Sequence, residues 1–138
     1  MIRLSDVRDY IESLKIADTV YSGKMDTKED KSIGVYNSKH SHTYSTAIGG
    51  PSLKSYDMKY VTFLIHWSNS QRETEKAALE LFKLLESASE VQINGKTIKF
   101  IQLLVSEPVD VGTDDAGIYE MIIEAAVVYQ KQEVVEHE

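Results

Sequence analysis

The chain has 138 residues, a formal charge of −7 and no cysteine. That length suits a single folded unit, residues 1–130, able to bury about two-thirds of its unfolded surface without disulfides. The composition excludes thiol chemistry, a zinc-knuckle pattern, a secretory leader and a membrane-spanning apolar run, so a soluble intracellular protein with no membrane contact is expected. With 15 Lys and Arg against 22 acids, a free-standing nucleic-acid binder is disfavoured, because phosphate neutralisation needs clustered cations. A protein that lets DNA pass without holding it stays open.

In chain order, Ser5 is the expected cap of a first helix. Leu4, Val7, Ile11 and Leu14 repeat there at three and four residues, with Arg8, Asp9, Glu12 and Lys15 outside, and the helix ends near residues 15–17. Residues 19–25 and 32–37 read as two short strands joined by a charged turn over 26–31, together a hairpin. Residues 38–56 carry almost no periodicity and many turn formers, which predicts a long loop that serves a purpose or is ordered by something else.

The central stretch runs from Lys59 to Trp67. Val61, Phe63, Ile65 and Trp67 form one apolar face, and Tyr60, Thr62, Leu64 and His66 a mixed one, the period of a strand buried more heavily on one side. After Ser68-Asn69, Ser70 followed by Glu73 predicts a capping box: the Ser70 oxygen takes the Glu73 amide and the Glu73 carboxylate reaches back to the Ser70 amide. The helix that follows places Ala78, Leu81, Phe82, Leu85 and Ala88 on one stripe, with Ala77 and Leu84 at its edge. Leu79 falls opposite, either an ordinary exposed leucine or a subunit contact.

Asn94-Gly95 between two β-prone runs predicts a two-residue type I′ hairpin over residues 91–100, its second strand continuing to Val105. Residues 109–117 read as an acidic loop with glycines, and residues 118–130 as a long last strand with Tyr119, Met121, Ile123, Ala125, Val127 and Tyr129 on one face and Glu120 and Glu124 on the other. Residues 131–138 form a charged tail expected to fray. The sum is an α+β fold, a largely antiparallel mixed sheet with two helices packed on one face. Gln102, Lys99, Thr62, His66, Glu120 and Glu124 make the other face partly solvated or covered by a neighbouring subunit.

No motif commits the chain to chemistry. His40 and His42 would point the same way on a strand and could begin a metal site, but no third ligand is near in sequence. Asp110, Asp114 and Asp115 lack the glycine and terminal glutamate of a calcium loop. Gly49-Gly50-Pro51 is no phosphate loop, no serine stands in a Gly-x-Ser-x-Gly elbow, and His66 reads as a hydrogen-bonded structural residue. The expectation is no catalytic residue, no metal and no cofactor.

Several phrases do have a familiar order: Gly34-Val-Tyr-Asn37, Ile48-Gly-Gly50, Tyr56 with Lys59, Ile65-His-Trp67, Glu73-Thr-Glu75-Lys-Ala77, and Gly117-Ile-Tyr-Glu120 leading into Val127-Val-Tyr129. Over residues 4 to 130 the chain thereby resembles the minor capsid proteins of tailed bacteriophages and prophages of Gram-positive bacteria, a group similar to tail terminator proteins. The His-rich segment 38–45 departs from that pattern. The resemblance implies a structural virion protein that forms an oligomeric ring, six-membered, at the head-proximal end of the tail. It would cap the tail tube protein and meet the head connector protein, after residing in the host cytoplasm before assembly.

On that reading the assembly interface draws on His40, His42, Tyr44, Ile48, Gly49, Gly50, Leu79, Asp114 and Asp115, and Asp110, Asp114, Asp115, Asp26 and Glu29 are candidates to line a lumen through which DNA passes. Two rivals stand beside it. One is an adaptor that binds a single protein partner through the open sheet face. The other is a small-molecule-binding or enzymatic domain with a pocket between the long loop and the sheet, containing His66 or His42.

Overall fold

A computed structural model describes residues 1–24, 30–39 and 55–131 of the chain. The described elements are helix α1 (Leu4–Ser13), strands β1 (Thr19–Ser22), β2 (Ser32–Asn37) and β3 (Tyr56–His66), helix α2 (Gln71–Glu86), and strands β4 (Ser89–Ile93), β5 (Lys96–Leu103), β6 (Val109–Thr113) and β7 (Tyr119–Gln130). The strands form one mixed, mostly antiparallel sheet in the order β1-β2-β3-β7-β5-β4, with β6 pairing the N-terminal half of β7.

Strand alternation decides the core. Val35, Phe63 and Ile123 lie in register across β2, β3 and β7, as do Ile33, Ile65 and Met121 in the next row but one. All but Met121 are buried to within 1% of full burial, and Met121 keeps 7% exposure. Both helices cover this face: Val7, Tyr10 and Ile11 from α1, and Ala77, Ala78, Leu81 and Leu85 from α2, join the same apolar cluster. The stripe expected on α2 is therefore the buried one, except that Phe82 and Leu84 sit only half-buried at its edge.

The start of α2 is more elaborate than a capping box. Ser70 Oγ accepts the Glu73 amide at 3.3 Å as expected, but the Glu73 carboxylate accepts from Ser68 Oγ at 3.1 Å, and Ser68 Oγ in turn accepts the Ser70 amide at 3.2 Å. A buried serine thus relays the return bond.

At α1 the expected cap is displaced. Ser5 lies exposed inside the helix, and the Arg3 amide donates to Asp6 Oδ2 at 2.8 Å instead. Ile2 is fully buried, which brings the chain onto the core before Ser5 and starts the helix earlier.

Two further expectations are corrected. β1 and β2 pair in parallel, Val20 against Ile33, and are no hairpin. A tight hairpin uses a connection of two to five residues, whereas nine residues, 23–31, separate β1 from β2 in the sequence. Residues 109–113 are a strand and not a loop, antiparallel to β7 with a bulge between Asp110 and Gly112. The type I′ turn is as expected: Asn94 has φ 51° and Gly95 φ 76°, the positive values both central positions require.

α1 also closes the sheet on itself. Arg8 Nε donates to the Val20 carbonyl of β1 at 3.0 Å, while Asn94 Nδ2 and Lys96 Nζ, at the β4–β5 turn, reach Asp6 at 2.9 and 2.6 Å, and Asn94 also reaches Asp9 at 2.8 Å. One helix therefore touches both ends of a curled sheet.

Candidate functional site

The face of the sheet away from the helices carries the even residues of β3 and β7. Thr62, Leu64, Ile122 and Glu124, with Tyr36 of β2, are half-buried and line a concavity of about 600 Å³. Glu124 is held by two hydroxyls: Thr62 Oγ1 donates to it at 2.8 Å and Ser38 Oγ at 3.3 Å. The surface is therefore half apolar, with its acid already engaged.

At one end of this face lies the polar cluster around His66. The residue is fully buried, and its Nε2 stands 2.8 Å from Asp114 Oδ2 in the turn between β6 and β7. Asp114 Oδ1 accepts the amides of Ala116 and Ile118, both at 2.9 Å. The hydrogen bond to His66, followed by the Ile118 amide, holds the Asp114 carboxyl below the usual carboxylate range. Glu120 lies opposite His66 in the register, and burial raises its carboxyl, with His66 opposing and Asp114 adding to the rise. Burial also raises the Tyr36 phenol, and the nearby Glu120 charge adds to it. An imidazole with no exposed surface does not meet a substrate; it fastens the β6–β7 turn to the end of β3. His66 is not among the residues that line the concavity on this face, and most of the long loop named in the small-molecule reading lies outside the described residues.

The third feature is β6 itself. All five of its residues are exposed, with Val109 at 42% and Val111 at 49%. Leu79 of α2, 46% exposed, lies beside it in a groove shared with Glu75, Pro108, Val109, Asp110 and Met121. Asp110 Oδ2 accepts from Gln71 Nε2 at 3.2 Å, which ties this strand to the start of α2.

Among the expected interface residues, Leu79 thus shares a groove with the first two residues of β6, while Asp114 and Asp115 sit in the turn that follows it, Asp115 exposed. His40, His42, Tyr44, Ile48, Gly49 and Gly50 lie outside the described residues, as do Asp26 and Glu29. Among the described residues no group of three His, Cys, Asp or Glu side chains is placed to hold a metal ion, and no helix is long and apolar enough to cross a membrane. Sequence reasoning missed Val109 and Val111 as a surface and Ser68 as a relay. The alternation Val109-Asp-Val111 was the available signal for the first; a lone serine offers none for the second.

Residues 10–131 match a family model described as bacteriophage tail terminator protein. A search of curated proteins gave no match.

Proposed function

The chain belongs to the bacteriophage tail terminator protein family, a family of structural virion proteins, and from that premise we propose that it works as a ring. Six copies close at the head-proximal end of the tail, cap the tube against further addition of tail tube protein, and present their other side to the head connector protein. Before assembly the subunits reside in the cytoplasm of a bacterial host. The observation that carries this reading is the family match over nearly the whole described chain. The half-apolar sheet face and the exposed Leu79 and Val109 support it, since a subunit that works by contact needs surface of that kind.

The assembly surface in this reading combines the segment His40, His42, Tyr44, Ile48, Gly49 and Gly50 with Leu79, Asp114 and Asp115, the segment taking its place against a neighbour on assembly. Deleting residues 40–50 is expected to leave a folded monomer that forms no rings, scored by circular dichroism and by negative-stain imaging of the concentrated protein with tail tubes. Rings of unchanged stability would refute the assignment.

DNA passes through the ring without specific binding. Like charge in a narrow channel disfavours sticking, and the exposed Asp115 is better placed for that task than Asp114, whose carboxylate is engaged by His66, or Asp110, whose carboxylate accepts from Gln71 and the Gly112 amide. Changing Asp115 to Lys is expected to slow genome ejection in an infection assay; ejection at the wild-type rate counts against a lumenal position.

A further inference from the structure

We propose that the outer edge of β6 receives a strand from a second copy of this chain, so that the sheet continues from subunit to subunit around the ring. The inference rests on the ring reading above and assigns its contact.

A sheet edge is a row of unpaired amides and carbonyls that invites another strand unless something blocks it. In this chain α1 attends to the ends of the main strand order. Arg8, itself held by Asp9 and Glu12, occupies the Val20 carbonyl on β1, and Asp6 and Asp9 hold the side chains of Asn94 and Lys96 at the β4–β5 turn, beside but not on the backbone edge of β4. β6, which branches off β7, has no such cover among the described residues.

The direction of its backbone groups follows from β7. Tyr119 exchanges backbone bonds with Trp67 and Ser68 on the β3 side, and the Glu124 carbonyl accepts from Leu104 on the β5 side. Odd residues of β7 therefore turn their peptide groups toward β3 and even ones toward β5 and β6. Met121 is odd and is the register partner of Asp110, so Asp110 turns its amide and carbonyl away from β7, outward along the edge that no other described strand pairs.

Charge identifies the occupant. The edge is acidic, with Glu107 and Asp110 exposed along or beside it and the exposed Val109 and Val111 flanking Asp110. The same sequence holds an acid-free stretch, residues 38–54, with Lys39, His40, His42 and Lys54. One copy thus carries both the acidic edge and a complementary segment, which is what head-to-tail association of identical chains needs, and a heterologous contact of that kind gives a ring when its rotation closes.

The test uses the full chain with Val109→Lys and Val111→Lys, replacements at exposed positions that put charged side chains on the edge. Sedimentation velocity and negative stain with tail tubes are expected to show a folded monomer whose association is weakened at least about tenfold. In the wild-type assembly, the Asp110 amide is expected to exchange at least about a hundredfold more slowly than in the monomer, a readout that does not depend on any variant folding. Wild-type rings with an unprotected Asp110 amide, or a double variant that assembles as well as wild type, overturn the β6 assignment and leave the ring standing. A wild-type chain that joins neither itself nor tail tubes overturns both.

Discussion

Replacing Phe63 with Ala is expected to destabilise the protein by about 3–5 kcal/mol, the cost of emptying a large buried aromatic site. Phe63 is fully buried at the centre of β3, between Val35 of β2 and Ile123 of β7, and neither neighbour has exposed surface to lose by collapsing into the gap. The helices above are committed as well: Leu81 and Leu85 are fully buried in the same cluster. In a chain of this size the loss corresponds to a drop in Tm of roughly 10–20 °C, measurable by calorimetry beside urea unfolding. Leu79→Ala is the matched control. At 46% exposure it is expected to stay within about 0.5 kcal/mol of wild type. A Phe63→Ala protein as stable as that control would mean that the sheet rows are not packed as described.

The second large effect concerns Asp6, a buried carboxylate that holds three partners: the Arg3 amide, Asn94 Nδ2 and Lys96 Nζ. Burial alone would raise its pKa, but the hydrogen bonds from Lys96, Asn94 and the Arg3 amide outweigh it and hold the carboxyl down to about 2. Asp6→Ala is expected to cost about 2–3 kcal/mol at neutral pH. That is less than the 3–5 of a fully buried pair, because the Lys96 side chain keeps 19% exposure and recovers some hydration. The folded-state pKa lies below the unfolded one, so this stabilisation is present above about pH 4 and is lost as pH falls toward 2. Urea unfolding of wild type and Asp6→Ala should therefore differ fully at pH 7, partly at pH 3 and little at pH 2. A gap independent of pH would show that the carboxylate charge is not what joins α1 to the β4–β5 turn.

The elements legible in the sequence were those whose burial is set by local period. β3 and β7 alternate at every second residue, α2 repeats at three and four, and Asn94-Gly95 has one favoured turn geometry. Each of these signals is complete within a few residues, so no distant contact was needed to read it. The helix start at Ser70 was legible for the same reason, while its relay through Ser68 was not, because a serine hydroxyl finds its partners only after the backbone has placed them.

The candidate surface divides along the same line. Leu79 stood out because it breaks a stripe, and the structure sets it in a groove beside β6. β6 itself was hidden because none of its residues is buried, so the hydrophobic pattern that reveals strands had little to act on. It exists as a strand because β5 leaves the N-terminal half of β7 unpaired on that side, and backbone groups of a sheet seek partners.

What the sequence by itself determined, then, is the two-layer architecture, the central strand and its helix, the hairpin turn, and family membership through short motifs spread along the chain. Only the tertiary structure decided that β1 runs parallel to β2, that Asp6 fastens α1 to the far end of the sheet, and that β6 forms as a strand against the N-terminal half of β7. Those three features depend on which strand edges and charges meet across large sequence separations, and that is fixed by how the sheet curls and by what remains unpaired once the core has closed.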